Sequence, residues 1–583
     1  MKHLLLAQHN WIHIIVIAIS ILTTSFSDPE RQYPQGYFQP PVGHVMELSG
    51  SFGELRANHF HAGIDISPAP KQTNEPIYAA ADGYISRINI TPGGYGQALY
   101  VTHPNGYTTV YGHLEKLTSP IDTFLRNRQY ESESFEQNIT LKPDEIPVRK
   151  GQQIGNMGNR GHSLGQHLHF EIRETATDKA INPLLFGFGV ADNMSPTMNA
   201  LKVYFINYKK EVVDTKIMGL IRRANGYGIV GDTIYAPSLS VAFSLKTYDK
   251  QDNKSGDNGI YSLDLKENNA LIYKFKTEII PFEESRYLNA HVDYYEHTHR
   301  GGFYHRAFRL PGNQLSIYEN VVNDGIINLG FEPKNIAFTV SDAAGNISNL
   351  SFIVKAKDSL IVSKSRSYTY LLPYNEPSII KANGAKFFFP KGSFYNDAYF
   401  NFSQITEGGT YGTYSPTYQF VDDKIPLHYL MSVSILPINL PDSLRQKAFI
   451  AYCPRGSSKE YNCGGAWSEE GLLFAKNNQL GSYCIRIDEM PPSIRPLKFQ
   501  YDMRKLSKMS FKINDNYDTA GSGVGLTYKA TVDDSWILME YDSKNDLLFH
   551  QFEGRIAAGE HVLRLSVKDN RGNEKVYESK FKL

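Results

Sequence analysis

Two short stretches of the sequence carry side chains whose types and spacing suit a metal ion. In Asn58-His-Phe-His-Ala-Gly-Ile-Asp65, His61 and Asp65 are four residues apart. On a strand such residues share a face, and Gly63 between them leaves room above the backbone. In Gln166-His-Leu-His-Phe-Glu-Ile-Arg173, His167 and His169 are two apart, so on a strand both imidazoles point to one side. Two histidines and one carboxylate around an open fourth position make a catalytic zinc arrangement. Water in that position has its pKa lowered to about 7, which supplies hydroxide at neutral pH. A further histidine, His113 in Tyr111-Gly-His-Leu114, follows another strand signal. A single His-x-His would read as surface or hydrogen-bonded core histidines; His61 with Asp65, a His-x-His and a separate His113 are harder to dismiss. His59 shares the face of His61 by parity, but only His61 has an aspartate at +4. His103, before Pro-Asn-Gly, reads as a hydrogen-bonding residue at a strand end.

The elements that must position these residues are strands. From about 44 to 187 the chain runs in short alternating stretches broken by glycine, such as Gly83-Tyr-Ile-Ser-Arg-Ile-Asn-Ile and Tyr107-Thr-Thr-Val-Tyr. Eight histidines fall in this region. Residues 117–146 are more polar and read as a loop or short helix inserted between strands, one that could form a wall of the cleft. The preceding 28–43 stretch is Pro-rich and reads as an extended lead-in. Beyond 190 a weak repeat appears. Val340-Ser-Asp-Ala-Ala-Gly-Asn346 and Val567-Lys-Asp-Asn-Arg-Gly-Asn573 share V-x-D-x-x-G-N, a hairpin turn between alternating strands. Upstream, Phe243–Asp249 resembles Phe511–Asp518. These copies imply two similar β-sandwich (Ig-like) domains, 190–356 and 491–583, with a further β-rich domain at 357–490. Cys453 and Cys463 bracket a Gly/Ser-rich segment and could pair in an oxidising compartment, leaving Cys484 as a buried apolar residue.

Composition agrees with an all-β chain. The 583 residues suggest about four domains. Tyr (38), Phe (32) and Gly (46) are abundant, which suits strands and tight turns. Lys+Arg and Asp+Glu are both 60, so no basic excess points to a nucleic-acid partner. Lys2 and the apolar run Trp11–Leu22, followed by small residues to Ser27, predict a signal peptide over residues 1–27. That run is too short to span a bilayer. The mature chain is expected to have no transmembrane segment and to work in a bacterial periplasm or cell envelope.

The motifs in order are similar to those of the LytM/lysostaphin-type (M23) zinc metallopeptidases. His61-Ala-Gly-Ile-Asp65, Gly112-His-Leu114, Gly151-Gln-Gln-Ile-Gly155 and Gly158-Asn-Arg-Gly-His-Ser-Leu-Gly-Gln-His-Leu-His-Phe-Glu171 carry the resemblance over residues 44–187. It implies an antiparallel β-sheet peptidase domain that cuts peptide stems or cross-links of peptidoglycan. By position it makes His61, Asp65 and His169 the Zn2+ ligands. It makes His167 and His113 the catalytic pair: a base that orients the attacking water, and a donor to the developing oxyanion. The glycine-rich stretch before the His-x-His departs from the family pattern as Arg160-Gly-His-Ser-Leu-Gly-Gln166. Where some members have a tyrosine before the first ligand, this chain has Gly53-Glu-Leu-Arg56. Arg56 is therefore a candidate for oxyanion or substrate-carboxylate binding, with a structural salt bridge as the alternative. The C-terminal β domains are expected to position the peptidase on the wall or on an envelope protein. The rival from another class is a non-catalytic regulator of another wall hydrolase; such regulators typically lose zinc ligands, and none is missing here.

Two other patterns invite different chemistry. Gly161-His-Ser-Leu-Gly165 fits G-x-S-x-G, but an alternating strand follows it where a nucleophile elbow needs a helix. His291, His297, His299 and His305 cluster without a carboxylate at ligand spacing, and are expected on a surface-exposed aromatic strand.

Overall fold

The computed structural model describes residues 32–252, 256–361, 367–405, 412–422 and 425–583. Residues 1–27, expected from the sequence to be a signal peptide, lie outside them. Strands hold 44% of the chain and helices 8%, which makes the class all-β.

The histidine-rich region folds around one antiparallel sheet. Its strands run in the order Leu48–Gly50, Ile64–Ile66, Leu168–Glu174, Tyr107–Gly112, Gln97–Thr102, Gly83–Ile90 and Gln137–Thr140. The central strand Leu168–Glu174 is buried nearly throughout, as its run of apolar and paired polar residues demands. Register decides what meets on this sheet. His169 pairs with Asp65 on one side and with Gly112 on the other, so three neighbouring strands deliver their functional residues to one level. The polar 117–146 stretch contains the helix Ile121–Glu131, which buries Ile121, Leu125 and Gln129 on one side. This helix also meets the C-terminal segment. Arg126 pairs with Glu540 at 3.0 Å, and the Tyr130 ring meets Trp536 edge-on at 5.2 Å.

The Pro-rich lead-in is packed rather than merely extended. Tyr33 and Phe38 lie against Phe186, with ring centroids 4.9 and 5.6 Å apart. Tyr33 also donates to Glu278 at 2.6 Å. The sheet continues into the next segment, since Ala180–Ile181 pairs with Ile279–Ile280. There, two sheets face one another across Phe243, Phe338 and Phe352, and this core is continuous with that of the peptidase-like sheet. Residues 370–487 bury a second core of aromatics around Phe387, Phe389, Phe420 and Tyr483. Residues 493–582 form two four-stranded sheets enclosing Phe511, Ile513, Leu563, Leu565 and Phe581. Both V-x-D-x-x-G-N copies make the expected hairpins, Lys334–Ser341 with Ile347–Ala356 and Glu560–Lys568 with Glu574–Lys582.

Two expectations are corrected here. Cys453 and Cys463 are free, as is Cys484. Ala451 pairs with Asn462 across the hairpin, and the Cys463 N–H donates to Ile450, so the register never sets the two thiols opposite one another. The 291–305 histidines are not a surface strand. Leu288–His291 and Tyr294–Arg300 are helical. His291 and His305 are buried and 3.0 Å apart, with Tyr318 closing the other ring nitrogen of His291 at 3.0 Å.

Candidate metal centre and active site

His61 and Asp65 do not lie on one continuous strand. His61 follows the strand His59–Phe60, and the chain bends through Ala62-Gly63 before Ile64–Ile66. The bend needs glycine. A Cβ on Gly63 would lie 2.5 Å from the Phe170 carbonyl oxygen and 3.1 Å from His169 Cε1. His169 arrives from the central strand, and its ring lies between the two.

Three atoms converge. His61 Nε2 is 3.0 Å from His169 Nδ1 and 3.1 Å from Asp65 Oδ1, and His169 Nδ1 is 2.9 Å from the same oxygen. The outer nitrogens settle the tautomers, because their partners can only accept. His61 Nδ1 donates to the Ser51 carbonyl at 2.8 Å. His169 Nε2 donates to Glu171 Oε1 at 2.8 Å. In the neutral rings, lone pairs on His61 Nε2 and His169 Nδ1 therefore face each other and the Asp65 oxygen. With both rings neutral no proton lies between those nitrogens, whereas a cation would accept all three lone pairs. Zinc bonds of about 2.0–2.1 Å set tetrahedral ligand atoms about 3.3 Å apart, close to the observed triangle. The residues fit the metal.

Neighbouring side chains hold the candidate ligands through hydrogen bonds and ion pairs. Asp65 Oδ2 accepts from Arg56 Nη2 at 2.5 Å, and Arg56 Nε lies 3.6 Å from Glu54. Arg56 therefore forms the structural salt bridge named as its alternative, on the oxygen that faces away from the triangle. Glu171 accepts from Tyr95 at 2.5 Å and from Arg173 at 2.7 Å. Burial works to raise the Glu171 carboxyl, but Arg173 and His169 hold it down to about 2. Burial also works to raise Asp65, yet in the metal-free protein the neighbouring His61, His167 and His169 rings bring it well below the usual range. Burial depresses His61 to about 4. It acts the same way on His169, but Asp65 and Glu171 outweigh it and lift that ring to about 9 in the metal-free protein. Glu171, Tyr95 and Arg173 were missed by inspection of the sequence. The signal was present, because alternation in His169-Phe-Glu171 places both side chains on one face.

Two more histidines border the triangle. The His113 ring is 4.8 Å from that of His167 and 5.9 Å from that of His169. His113 has φ of 61°, a left-handed conformation that non-glycine residues seldom adopt and that concentrates at functional sites. Its Nδ1 donates to the Arg160 carbonyl at 2.7 Å, leaving Nε2 with a lone pair. Burial, then His169 and His167, depress its pKa to about 3, so the ring is neutral. His167 Nδ1 donates to the Gly165 carbonyl at 2.9 Å, and its Nε2 is 3.5 Å from Asp65 Oδ1. His59 is exposed and turned to the Ala57 carbonyl. His103 bonds the Asp82 carbonyl and Thr109 at the strand end, as expected. Ser163 of the G-x-S-x-G sequence is buried and donates to Gly165.

Two histidines and an aspartate gathered on a β-sheet, with two more histidines beside them, form a candidate metal site. Peptidase family M23 matches residues 59–129 and 136–183, and a Zu5-like domain matches 369–488. The DD-carboxypeptidase/endopeptidase Mpg of Neisseria meningitidis serogroup B is 33% identical over 151 residues, 26% of this chain and 25% of that protein. The murein hydrolase activator NlpD of Escherichia coli is 31% identical over 147 residues, 25% of this chain and 30% of that one. Among solved structures, the catalytic domain of the prophage-encoded M23 protein EnpA from Enterococcus faecalis is 24% identical. That likeness covers 25% of this chain and 96% of that one, with a TM-score of 0.19. This chain thus spans about a quarter of the length of the Neisseria relative. It carries an M23, LytM-type peptidase domain. Among the described residues, no helix is long and apolar enough to cross a membrane.

Proposed function

We propose that the protein is a zinc metalloendopeptidase of the bacterial cell envelope that hydrolyses peptide bonds in peptidoglycan stems or cross-links. The observation that carries this reading is the triangle of His61 Nε2, Asp65 Oδ1 and His169 Nδ1 with His113 and His167 beside it. Zinc held by the three ligands supplies a Lewis acid and an acidified water. His113 is fixed through Nδ1, so its Nε2 lone pair is the base that takes a proton from the attacking water. His167 stands across the site with its Nε2 3.5 Å from Asp65 Oδ1; carrying a proton on that nitrogen as well, it would donate to oxygen charge that develops on the scissile carbonyl. Arg56 keeps the second oxygen of Asp65 occupied, so that a single oxygen faces the metal.

The activator NlpD among the relatives gives the second reading, a regulator without hydrolytic activity. Retention of a complete donor set favours the enzyme. Digestion of purified muropeptides of known cross-link, followed by mass spectrometry, tests it. Cleaved peptide bonds that disappear in His113→Ala support the enzyme; intact muropeptides with zinc bound support the regulator.

A further inference from the structure

Two aspartate triads lie outside the histidine site, one in each sandwich. Asp192, Asp249 and Asp342 bring carboxylate oxygens within 4.8 Å of one another, and so do Asp488, Asp515 and Asp569. The triads are copies in sequence. Asp192-Asn-Met-Ser-Pro196 and Asp488-Glu-Met-Pro-Pro492 share D-x-M-x-P, and Asp342 and Asp569 sit in the two V-x-D-x-x-G-N turns. Asp249 and Asp515 each directly follow a core strand, Ser240–Tyr248 and Lys508–Asn514.

They are also copies in contact. Asn346 Nδ2 donates to Asp342 Oδ2 at 2.8 Å and to the Asp192 carbonyl at 3.1 Å. Asn573 Nδ2 donates to Asp569 Oδ2 at 2.7 Å and to the Asp488 carbonyl at 2.9 Å. The N–H groups of Met194 and Met490 each donate to the neighbouring aspartate Oδ1 at 3.1 Å.

These bonds leave charge uncovered. Asp249 is only 4% exposed and its Oδ1 has no hydrogen-bond partner; Asp488 is 1% exposed and its Oδ2 has none. No described Lys or Arg pairs with either triad. Arg571, beside the second, spends its guanidinium on the carbonyls of Ala448 and Gly465 and on Asn570. Lys447 Nζ turns to Asn573 Oδ1 and the Arg571 carbonyl. Buried carboxylate oxygens without donors lose their hydration, and three so close together repel. A hard cation taking six to eight oxygens removes both costs, and a donor set without nitrogen or sulfur selects calcium over zinc.

We propose that each sandwich binds one calcium-class divalent cation, through Asp192, Asp249 and Asp342 in the first and Asp488, Asp515 and Asp569 in the second. The first site ties the link that leaves the peptidase sheet to both sheets of the sandwich behind it. It borders a cavity shared with Leu48, Ser51 and Phe52, and Ser51 is the residue whose carbonyl orients His61. Gln251, two residues past Asp249, accepts from the Leu48 N–H at 2.8 Å across the same seam. The cation would stiffen that seam without touching the zinc ligands.

The test is equilibrium dialysis of the full mature chain, zinc-loaded and freed of calcium, against radiolabelled calcium, with Tm recorded before and after adding 1 mM calcium chloride. Two calcium ions per chain and a Tm raised by several degrees are expected. Asp249→Asn and Asp515→Asn should each lose one ion, and the double variant both, with zinc content unchanged. Because like-charge repulsion is relieved, each variant should melt no lower than the parent in calcium-free buffer. A parent chain that binds no calcium at this concentration overturns the proposal, even if a variant fails to fold. A double variant that still binds two ions overturns it as well.

Discussion

Glu540 and Arg160 are 380 residues apart in the chain and form an ion pair where the C-terminal sandwich meets the peptidase sheet. Glu540 is buried and also accepts from Arg126 at 3.0 Å. Burial alone would raise its carboxyl, but Arg160 and Arg126 hold it below the ordinary carboxylate range, so it is charged. The Arg160 carbonyl is the acceptor that fixes His113. Lys544 of the same sandwich donates to the Ser163 carbonyl at 3.1 Å. The last sandwich thus grips the 159–163 segment that borders His113 and His167, the histidines proposed to be catalytic.

Glu540 is accordingly a positioning residue. Glu540→Gln leaves two arginines without their buried counter-charge. Turnover on peptidoglycan peptides should fall about tenfold, about 1.4 kcal/mol of barrier, with KM changed much less and zinc retained. Glu540→Asp should recover part of kcat. Native turnover in Glu540→Gln would sever the sandwich from the mechanism.

In the proposed site Glu171 would act on the metal through His169, whose Nε2 it accepts from. Removing its charge frees the His169 ring and weakens Nδ1 as a ligand, so Glu171→Gln should lower zinc affinity about 10–100-fold. Competition with a chromogenic chelator measures it. Unchanged affinity would mean that Tyr95 and Arg173, rather than His169, are what Glu171 serves.

His291 and His305 predict an acid-labile sandwich. Burial lowers His305 to about 3 and His291 well below its ordinary 6.5. Folded pKa values below the unfolded ones mean that the unfolded chain takes up protons first. Their stabilisation is complete above about pH 6.5 and is lost as the pH falls below it, by about 1 kcal/mol for each histidine at pH 5.5. Tm measured from pH 7.5 to 5.5 should fall for the native chain and fall less for His305→Gln. Parallel curves would contradict the pair's role.

What could be read from the sequence was local. His61, Asp65, His167 and His169 lie in two eight-residue stretches recognisable by residue type and spacing, although a bend at Ala62-Gly63, not strand periodicity, brings His61 to Asp65. The all-β class followed from alternation and turn residues. The Arg160–Glu540 pair was illegible because nothing in either neighbourhood marks contact across 380 residues. The 291–305 histidines misled because His297-Thr-His299 mimics strand alternation, while Asp293 caps a helix by accepting from the Glu296 N–H. Arg56 was legible as a carboxylate partner, but whether that carboxylate was substrate or Asp65 depended on the fold.

The central claim is that three residues hold zinc and two others perform the chemistry, and zinc content beside turnover tests it most directly. The native chain should carry about one zinc. His61→Ala, Asp65→Ala and His169→Ala should lose metal and activity together. His113→Ala and His167→Ala should keep zinc and a near-native Tm while turnover drops about 10²–10³-fold. Zinc retained in His169→Ala but lost in His167→Ala, or full turnover in His113→Ala, would contradict the account.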